Sequence, residues 1–145
     1  MNCVTDLLAG CGLSSANLLQ LAFAAFVAVL FIQSGLDKVF NWTSEKNFYK
    51  AHFSKSILKG SVFLLMPVIT LVELSAGLLS AAGFIQVLFT GNTGIGTLGM
   101  LCAVAGLTML FFGQRVAKDY KGAAVLVPYF LMAAAGLYVF GAGAC

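Results

Sequence analysis

The sequence predicts an all-α integral membrane protein, a four-helix bundle made of two helical hairpins. Three observations support this class. Of the 145 residues, 61% are hydrophobic and only 9% are charged, whereas about a quarter of the residues in a soluble domain are charged. The mean hydropathy is +1.00. Four long apolar segments alternate with short polar or basic connections, and a chain of this size forms one domain.

The four apolar segments cover roughly residues 17–36, 61–89, 95–113 and 122–141. Each is long enough, at about 20 residues or more, to cross a hydrocarbon core about 30 Å thick as an α-helix. The strands of a membrane barrel are about half that length and alternate apolar with polar residues. We therefore expect four transmembrane helices in a single domain, residues 1–145.

The positive charges are confined to two connections between these segments. The first holds five of the eight basic residues and the second holds three. They are Lys38, Lys46, Lys50, Lys55 and Lys59 in the first, and Arg115, Lys118 and Lys121 in the second. Because Lys and Arg are retained in the cytoplasm, both connections should face the cytoplasm and both termini the periplasm of a bacterial inner membrane. The net charge of +3 then gives no reason to expect nucleic acid as a partner.

The first basic connection, residues 37–60, also carries aromatic residues. Trp42, Phe48, Tyr49 and Phe53 are interspersed with the five lysines. This mixture is typical of a short amphipathic helix at the level of the lipid headgroups, or of a docking surface for a partner. We expect this segment to be an interfacial loop that contacts lipids or another membrane subunit.

Small residues at helical spacing indicate where the helices pack. Gly77 and Ala81 in the second segment, like Gly99 and Ala103 in the third, are four residues apart and share one helix face. Gly35 is a further small residue near the end of the first segment. Such faces allow close approach of a neighbouring helix, which can belong to this chain or to another subunit.

The cysteines and the single histidine suggest little chemistry. Cys3, Cys11 and Cys145 would lie at the oxidising periplasmic face, so a Cys3–Cys11 or a Cys11–Cys145 disulfide is possible, with one thiol left over. Cys102 lies inside the third segment and is interpreted as a packing residue. The only histidine, His52, lies in the first connection, so we expect no metal site and no haem.

Glu73 is the most informative single residue, because it lies near the middle of the second apolar segment. An ionised acid at such a depth costs about 2.5–3.5 kcal/mol, so Glu73 should be protonated, hydrogen-bonded or paired. Gln33 and Ser34 lie at a similar depth, and Lys38 would have to reach inward to meet the carboxyl. Two interpretations remain open. Glu73 either fixes the helix register or forms a site for a proton, a ligand or a quinone.

Two motifs resemble signatures of the DoxX family of small four-helix membrane proteins. Residues 31–38, FIQSGLDK, are similar to the first-helix signature, and residues 73–79, ELSAGLL, to the second-helix signature. The last helix is introduced by residues 113–115 and 119–123, which also fit the family. The resemblance extends over about residues 20–140 and agrees with the number of spans.

The resemblance implies that Gly35, Lys38, Glu73 and Gly77 carry the family pattern. DoxX-like proteins are similar to the membrane subunit of thiosulfate:quinone oxidoreductases and to a subunit linked with terminal quinol oxidases. The small size, the missing cofactor ligands and the packing faces favour an accessory, non-catalytic subunit of a bacterial respiratory or oxidoreductase complex, with other membrane subunits as partners. The long lysine-rich first connection departs from the family and favours a specialised partner.

The alternative is a quinone-binding component of an oxidoreductase that uses Glu73. In this interpretation Gln33 or Lys38 polarises an oxygen of the quinone ring, and Glu73 exchanges a proton. A small transporter is disfavoured, because one buried carboxylate provides little polar lining for a pathway through four helices.

Overall fold

The structure, a computed structural model, describes residues 3–143. Nearly all of these residues are helical and none lies in a β-strand, which confirms the predicted all-α class for this part of the chain. The helices are α1 (Cys3–Gly10), α2 (Ser15–Phe40), α3 (Trp42–His52), α4 (Val62–Thr90), α5 (Gly94–Val116) and α6 (Tyr120–Gly143).

Four of these helices, α2, α4, α5 and α6, are long and apolar enough to cross a membrane. Their number agrees with the four apolar segments of the sequence, and it indicates a multi-pass membrane protein. The observed α2 continues past residue 36 to Phe40, so that Lys38 lies inside the helix. The helical α3 occupies about half of the connection between α2 and α4.

Local signals define where the long helices begin and end. At the start of α2, the hydroxyl oxygen of Ser14 accepts a hydrogen bond from the backbone N–H of Asn17 at 3.2 Å, and Asn17 Oδ1 accepts one from the N–H of Ser14 at 3.0 Å. α4 ends at Gly91, which has a left-handed φ of 73° that favours glycine. Asp119 precedes α6 and accepts a bond from the N–H of Gly122 at 2.9 Å.

The core is formed where the four long helices meet. α4 packs extensively against both α2 and α5, and α6 packs against α5 and α2. The buried core residues are mainly small, with a few large side chains that fill the space between the helices. They include Ala24, Val27, Phe31, Ala76, Val87, Met100, Ala103, Leu107, Ala133 and Phe140.

The small residues at helical spacing contact neighbouring helices of the same chain. A Cβ added to Gly77 would lie 2.8 Å from the backbone nitrogen of Ile32 in α2. A Cβ added to Gly99 would lie 2.7 Å from the backbone nitrogen of Ser80 in α4. These two contacts let the backbones of α2, α4 and α5 approach closely.

Of the other small residues that the sequence analysis named, Gly35 and Ala103 are buried in the bundle, and Ala81 is partly buried. Gly35 faces the side chain of Leu74 in α4, and Ala103 of α5 is fully buried. Ala81 is half-buried. The small-residue faces named by the sequence therefore contribute to contacts inside this chain.

Both basic connections lie at one end of the long helices. The ring nitrogen Nε2 of His52, at the end of α3, lies 2.7 Å from Oε1 of Gln114, near the end of α5. At the other end, Gln20 near the start of α2 donates a hydrogen bond to the carbonyl of Val139 near the end of α6, at 3.3 Å. We call the first end the basic end.

No disulfide bond is present among residues 3–143. Cys3 and Cys11 are exposed, and neither is disulfide-bonded within the described residues, whereas Cys102 is half-buried in α5. Cys145 lies outside the described residues.

Candidate functional site

The site contains a buried ion pair between α2 and α4. Nζ of Lys38 lies 2.9 Å from Oε2 of Glu73. The Ser34 hydroxyl donates a hydrogen bond to Oε1 of Glu73 at 3.1 Å, and it accepts one from the Lys38 ammonium at 3.0 Å. The three side chains therefore form a closed polar triangle, in which both oxygens of the carboxylate have a partner.

The positions of these residues on their helices explain why they meet. Ser34 and Lys38 are four residues apart on α2 and so lie one turn apart on the same face. Gly35, between them, lets Leu74 of α4 approach closely and brings Glu73 within reach. The alkyl chain of Lys38 extends inward from the basic end, so that its charged group is held inside the protein.

Burial makes this pair energetically important. The side chains of Lys38 and Glu73 are only 7% and 1% exposed. Removing two charges from water is costly, and their mutual attraction offsets that cost only when the geometry is good and the remaining polar atoms are bonded. Within residues 3–143, Oε2 of Glu73 accepts no hydrogen bond, so the contact with the Lys38 ammonium is its only compensation. The loss of either member would leave the other without compensation.

Tyr49 of α3 lies beside the pair at the basic end. Burial raises the pKa of the Tyr49 hydroxyl above its usual value, and the nearby Lys38 ammonium acts in the opposite direction. The phenol is therefore neutral at neutral pH, where its hydroxyl can both donate and accept a hydrogen bond.

A cavity of about 400 Å³ opens next to Tyr49, between α3, α4 and α5. Its lining is mostly apolar, with Tyr49, Thr108 and Gln114 as the polar side chains. The apolar lining is contributed by Phe53, Leu58, Val62, Leu65, Met66, Ile69, Met109, Leu110 and Phe112. Sites for small organic ligands have this combination of an apolar wall with a few polar groups, and volumes of about 300–1,000 Å³. Tyr49 connects the cavity to the ion pair.

The structure brings together two of the three residues that the sequence assigned to this site. Lys38 reaches Glu73, whereas Gln33 lies on an exposed face of α2 and forms no hydrogen bond in the described structure. Sequence reasoning noted the depth of Ser34 but gave it no partner, and it gave Tyr49 no role at the site. Helical spacing was the available signal, because Ser34 lies four residues, about one turn, before Lys38 on α2, whereas Gln33 lies on another face.

A second polar cluster joins the two basic connections. His52 bonds to Gln114, and its Nε2 atom lies 3.8 Å from Oδ2 of Asp119. The guanidinium of Arg115 lies 4.6 Å from the centre of the Tyr120 ring, a cation–π contact. No group of three or more potential metal ligands occurs in the described part of the chain. The two contacts of His52 hold the end of α3 against the α5–α6 turn, and Gln114 also lines the cavity.

Comparison of the chain with family models, with curated proteins and with solved structures finds no match. The resemblance to the DoxX family thus stays an expectation from the sequence, and its two main motifs are at residues 31–38 and 73–79. In the structure these two segments lie against each other, and they supply both the Lys38–Glu73 pair and the contact of Gly35 with Leu74.

Proposed function

We propose that the protein is an accessory, non-catalytic membrane subunit of a bacterial respiratory or oxidoreductase complex, similar to DoxX proteins. The observation that carries this proposal is the Lys38–Glu73 pair. The one carboxyl group deep in a long apolar helix has both of its oxygens occupied by groups of its own chain. Such a group joins two helices in a fixed register, which is the role of a scaffold that supports a partner.

We also propose how this subunit lies in the membrane. Its four long helices cross the inner membrane as two hairpins, with the basic end in the cytoplasm and both termini in the periplasm. The contact of His52 with Gln114 supports this orientation, because it brings both lysine-bearing connections to one end of the helices. Lys and Arg are enriched in the cytoplasmic connections of membrane proteins.

The test of the subunit role is isolation of the chromosomally tagged protein in nanodiscs formed directly from native membranes. We expect a second membrane or membrane-bound protein in fixed stoichiometry, with the absorption spectrum of a flavin, haem or iron–sulfur group. An unrelated tagged membrane protein from the same cells serves as the control. Isolation as a lone, stable species, or with a partner that has no redox group, would contradict the proposal.

A second candidate function is quinone binding, which the cavity beside Tyr49 favours. A quinone ring would lie against the apolar wall of α4 and α5, and Tyr49 or Gln114 would donate a hydrogen bond to a ring oxygen. Hydrogen bonds in such an apolar setting are strong. Glu73 would exchange a proton by way of Lys38, which interacts with both Glu73 and Tyr49.

Two variants separate this candidate from the scaffold role. Ile69→Trp would fill the cavity, whereas Leu71→Trp adds the same side chain at a position that is 68% exposed on the same helix. If a quinone binds here, it is extracted with the wild type and with Leu71→Trp but lost from Ile69→Trp. Equal quinone content in all three proteins would exclude this cavity. Unchanged quinone reduction by an assembled Glu73→Gln complex would exclude the proton role.

A further inference from the structure

A second cavity, of about 360 Å³, lies on the surface of the basic end. Three lysines surround it, together with the hydroxyl-bearing Ser54. Lys46 and Lys50 are one turn apart on α3, and Lys59 lies in the segment just before α4. The rest of the lining is Gly60, Val62 and Phe63. We call this the lysine pocket.

The positive charge of the lysine pocket has no counter-charge within the described structure. The ion pairs found among residues 3–143 are Lys38 with Glu73 and His52 with Asp119. None of the three pocket lysines has a carboxylate within 4.0 Å. Glu45, the acidic residue of α3, forms no ion pair with any of them. Three ammonium groups around one concavity favour an anionic ligand.

The pocket also adjoins a strongly apolar surface. Phe63 lines it and is 68% exposed, and Leu64 and Leu71 of α4 are also exposed. α4 is one of the helices long and apolar enough to cross a membrane. A ligand that fits both features has a negative headgroup and hydrocarbon chains that extend along α4. A basic pocket at the end of membrane-spanning helices is a typical site for an acidic lipid headgroup.

We propose that the lysine pocket binds the headgroup of an anionic phospholipid, with its acyl chains against Phe63 and the outer face of α4. The lysines contact the phosphate. This proposal requires that the protein lies in a membrane, but it does not depend on the proposed redox partner. Its outcome is therefore independent of the co-purification experiment.

The experiment uses the only tryptophan of the chain, Trp42, which lies one turn before Lys46 on α3. The purified full-length protein in a neutral detergent is titrated with brominated phosphatidylglycerol or brominated phosphatidylcholine, and quenching of the Trp42 fluorescence is recorded. We expect phosphatidylglycerol to quench at a concentration at least tenfold lower. Equal quenching by the two lipids would overturn the proposal.

Removal of the pocket charges should abolish the preference. Each of Lys46→Gln, Lys50→Gln and Lys59→Gln should weaken the response to phosphatidylglycerol about fivefold, which corresponds to about 1 kcal/mol per lysine near the membrane surface. The triple variant should respond to both lipids alike. These side chains form no ion pair in the described structure, so the variants should remain folded.

The matched control removes three other lysines of the basic end. The triple variant of Lys55→Gln, Lys118→Gln and Lys121→Gln has the same net charge but leaves the pocket intact. It should retain the preference for phosphatidylglycerol. If the control triple loses the preference equally, general surface charge rather than a site is responsible. Reversal of the quenching by inorganic phosphate would assign the pocket to a free anion and overturn the lipid proposal.

Discussion

The ammonium of Lys38 lies 2.9 Å from a carboxylate oxygen of Glu73, and this contact joins α2 to α4 inside the protein. Burial of a charge is tolerated only while its partner is present. The pair therefore stabilises the contact between these helices only while both members are present. Its members should be much more sensitive to single substitution than to joint replacement by apolar residues.

The first prediction concerns this asymmetry. Glu73→Gln should lower the free energy of unfolding by about 3 kcal/mol, because it leaves the Lys38 ammonium buried without its partner. The double variant Lys38→Met with Glu73→Leu should recover most of that loss. Denaturant titration of the wild type, of Lys38→Met and Glu73→Leu alone and of the double variant in detergent completes the double-mutant cycle.

Asp37→Asn is the control for this cycle, because Asp37 is an exposed acid of α2 that forms no ion pair in the described structure. It should change the free energy of unfolding by less than about 0.5 kcal/mol. If the double variant is as unstable as the sum of the two single variants, the side chains are not coupled and the ion pair does not stabilise the fold.

The second prediction concerns the glycines between α4 and α5. A Cβ added to Gly83 would lie 2.7 Å from the backbone nitrogen of Gly96, and a backbone atom cannot move aside as a side chain can. Gly83→Ala should therefore lower the free energy of unfolding by about 1–3 kcal/mol. Gly94→Ala is the matched control, because a Cβ at Gly94 would meet nothing within 4 Å.

Denaturant titration also measures this effect. Equal stability of Gly83→Ala and Gly94→Ala would mean that α4 and α5 do not pack as closely as described. A milder effect is expected for Gly35→Ala. There the added atom meets the end of the Leu74 side chain, which can adopt another rotamer.

The long apolar helices could be predicted from the sequence because hydropathy over about 20 residues is a strong signal. The segment predicted at 61–89 and the observed α4 differ by one residue at each end. The end of α2 was less predictable, because Asp37 and Lys38 look like the start of a loop. In the structure Lys38 bonds inward, so the charged residue continues the helix instead of ending it.

The candidate site was predictable only in part. Glu73 could be identified because an acid inside an apolar segment needs a partner. The choice between Gln33 and Lys38 depended on which face of α2 meets α4, and hydropathy does not give that rotation. The role of Tyr49 depended on how α3 folds back onto the helices, a long-range contact with no local sequence signal.

The third prediction concerns alkaline pH. Burial raises the pKa of Tyr49 in the folded protein, so the folded state holds the phenolic proton more tightly than the unfolded state. The contribution of this group to stability is present below the ordinary tyrosine pKa of about 10 and is lost as the pH rises through the raised value. Above about pH 10, the thermal unfolding midpoint of the wild type should therefore fall more steeply than that of Tyr49→Phe.

The comparison with Tyr49→Phe is necessary because lysines also lose their protons in this range. Tyr138→Phe is the control, because Tyr138 of α6 is 77% exposed. It should leave the pH profile unchanged. Identical profiles for wild type and Tyr49→Phe would mean that the buried phenol does not contribute to the pH dependence.

The last prediction tests the orientation in the membrane. In a variant with Cys3→Ser and Cys145→Ser, the exposed Cys11 should react with a membrane-impermeant maleimide added to the periplasmic side of intact cells. The remaining Cys102 is half-buried in α5 and should stay unlabelled, because a thiol held in apolar surroundings is a poor nucleophile.

The matched reporter for the basic end is Ile57→Cys in a chain without the other exposed cysteines. Ile57 is 86% exposed in the lysine-rich connection, so its replacement should be readily accessible. It should react only after the inner membrane is permeabilised, because positively charged connections are retained in the cytoplasm. The opposite pattern, with Ile57→Cys labelled in intact cells and Cys11 protected, would reverse the orientation. The anionic lipid of the lysine pocket would then have to come from the periplasmic leaflet.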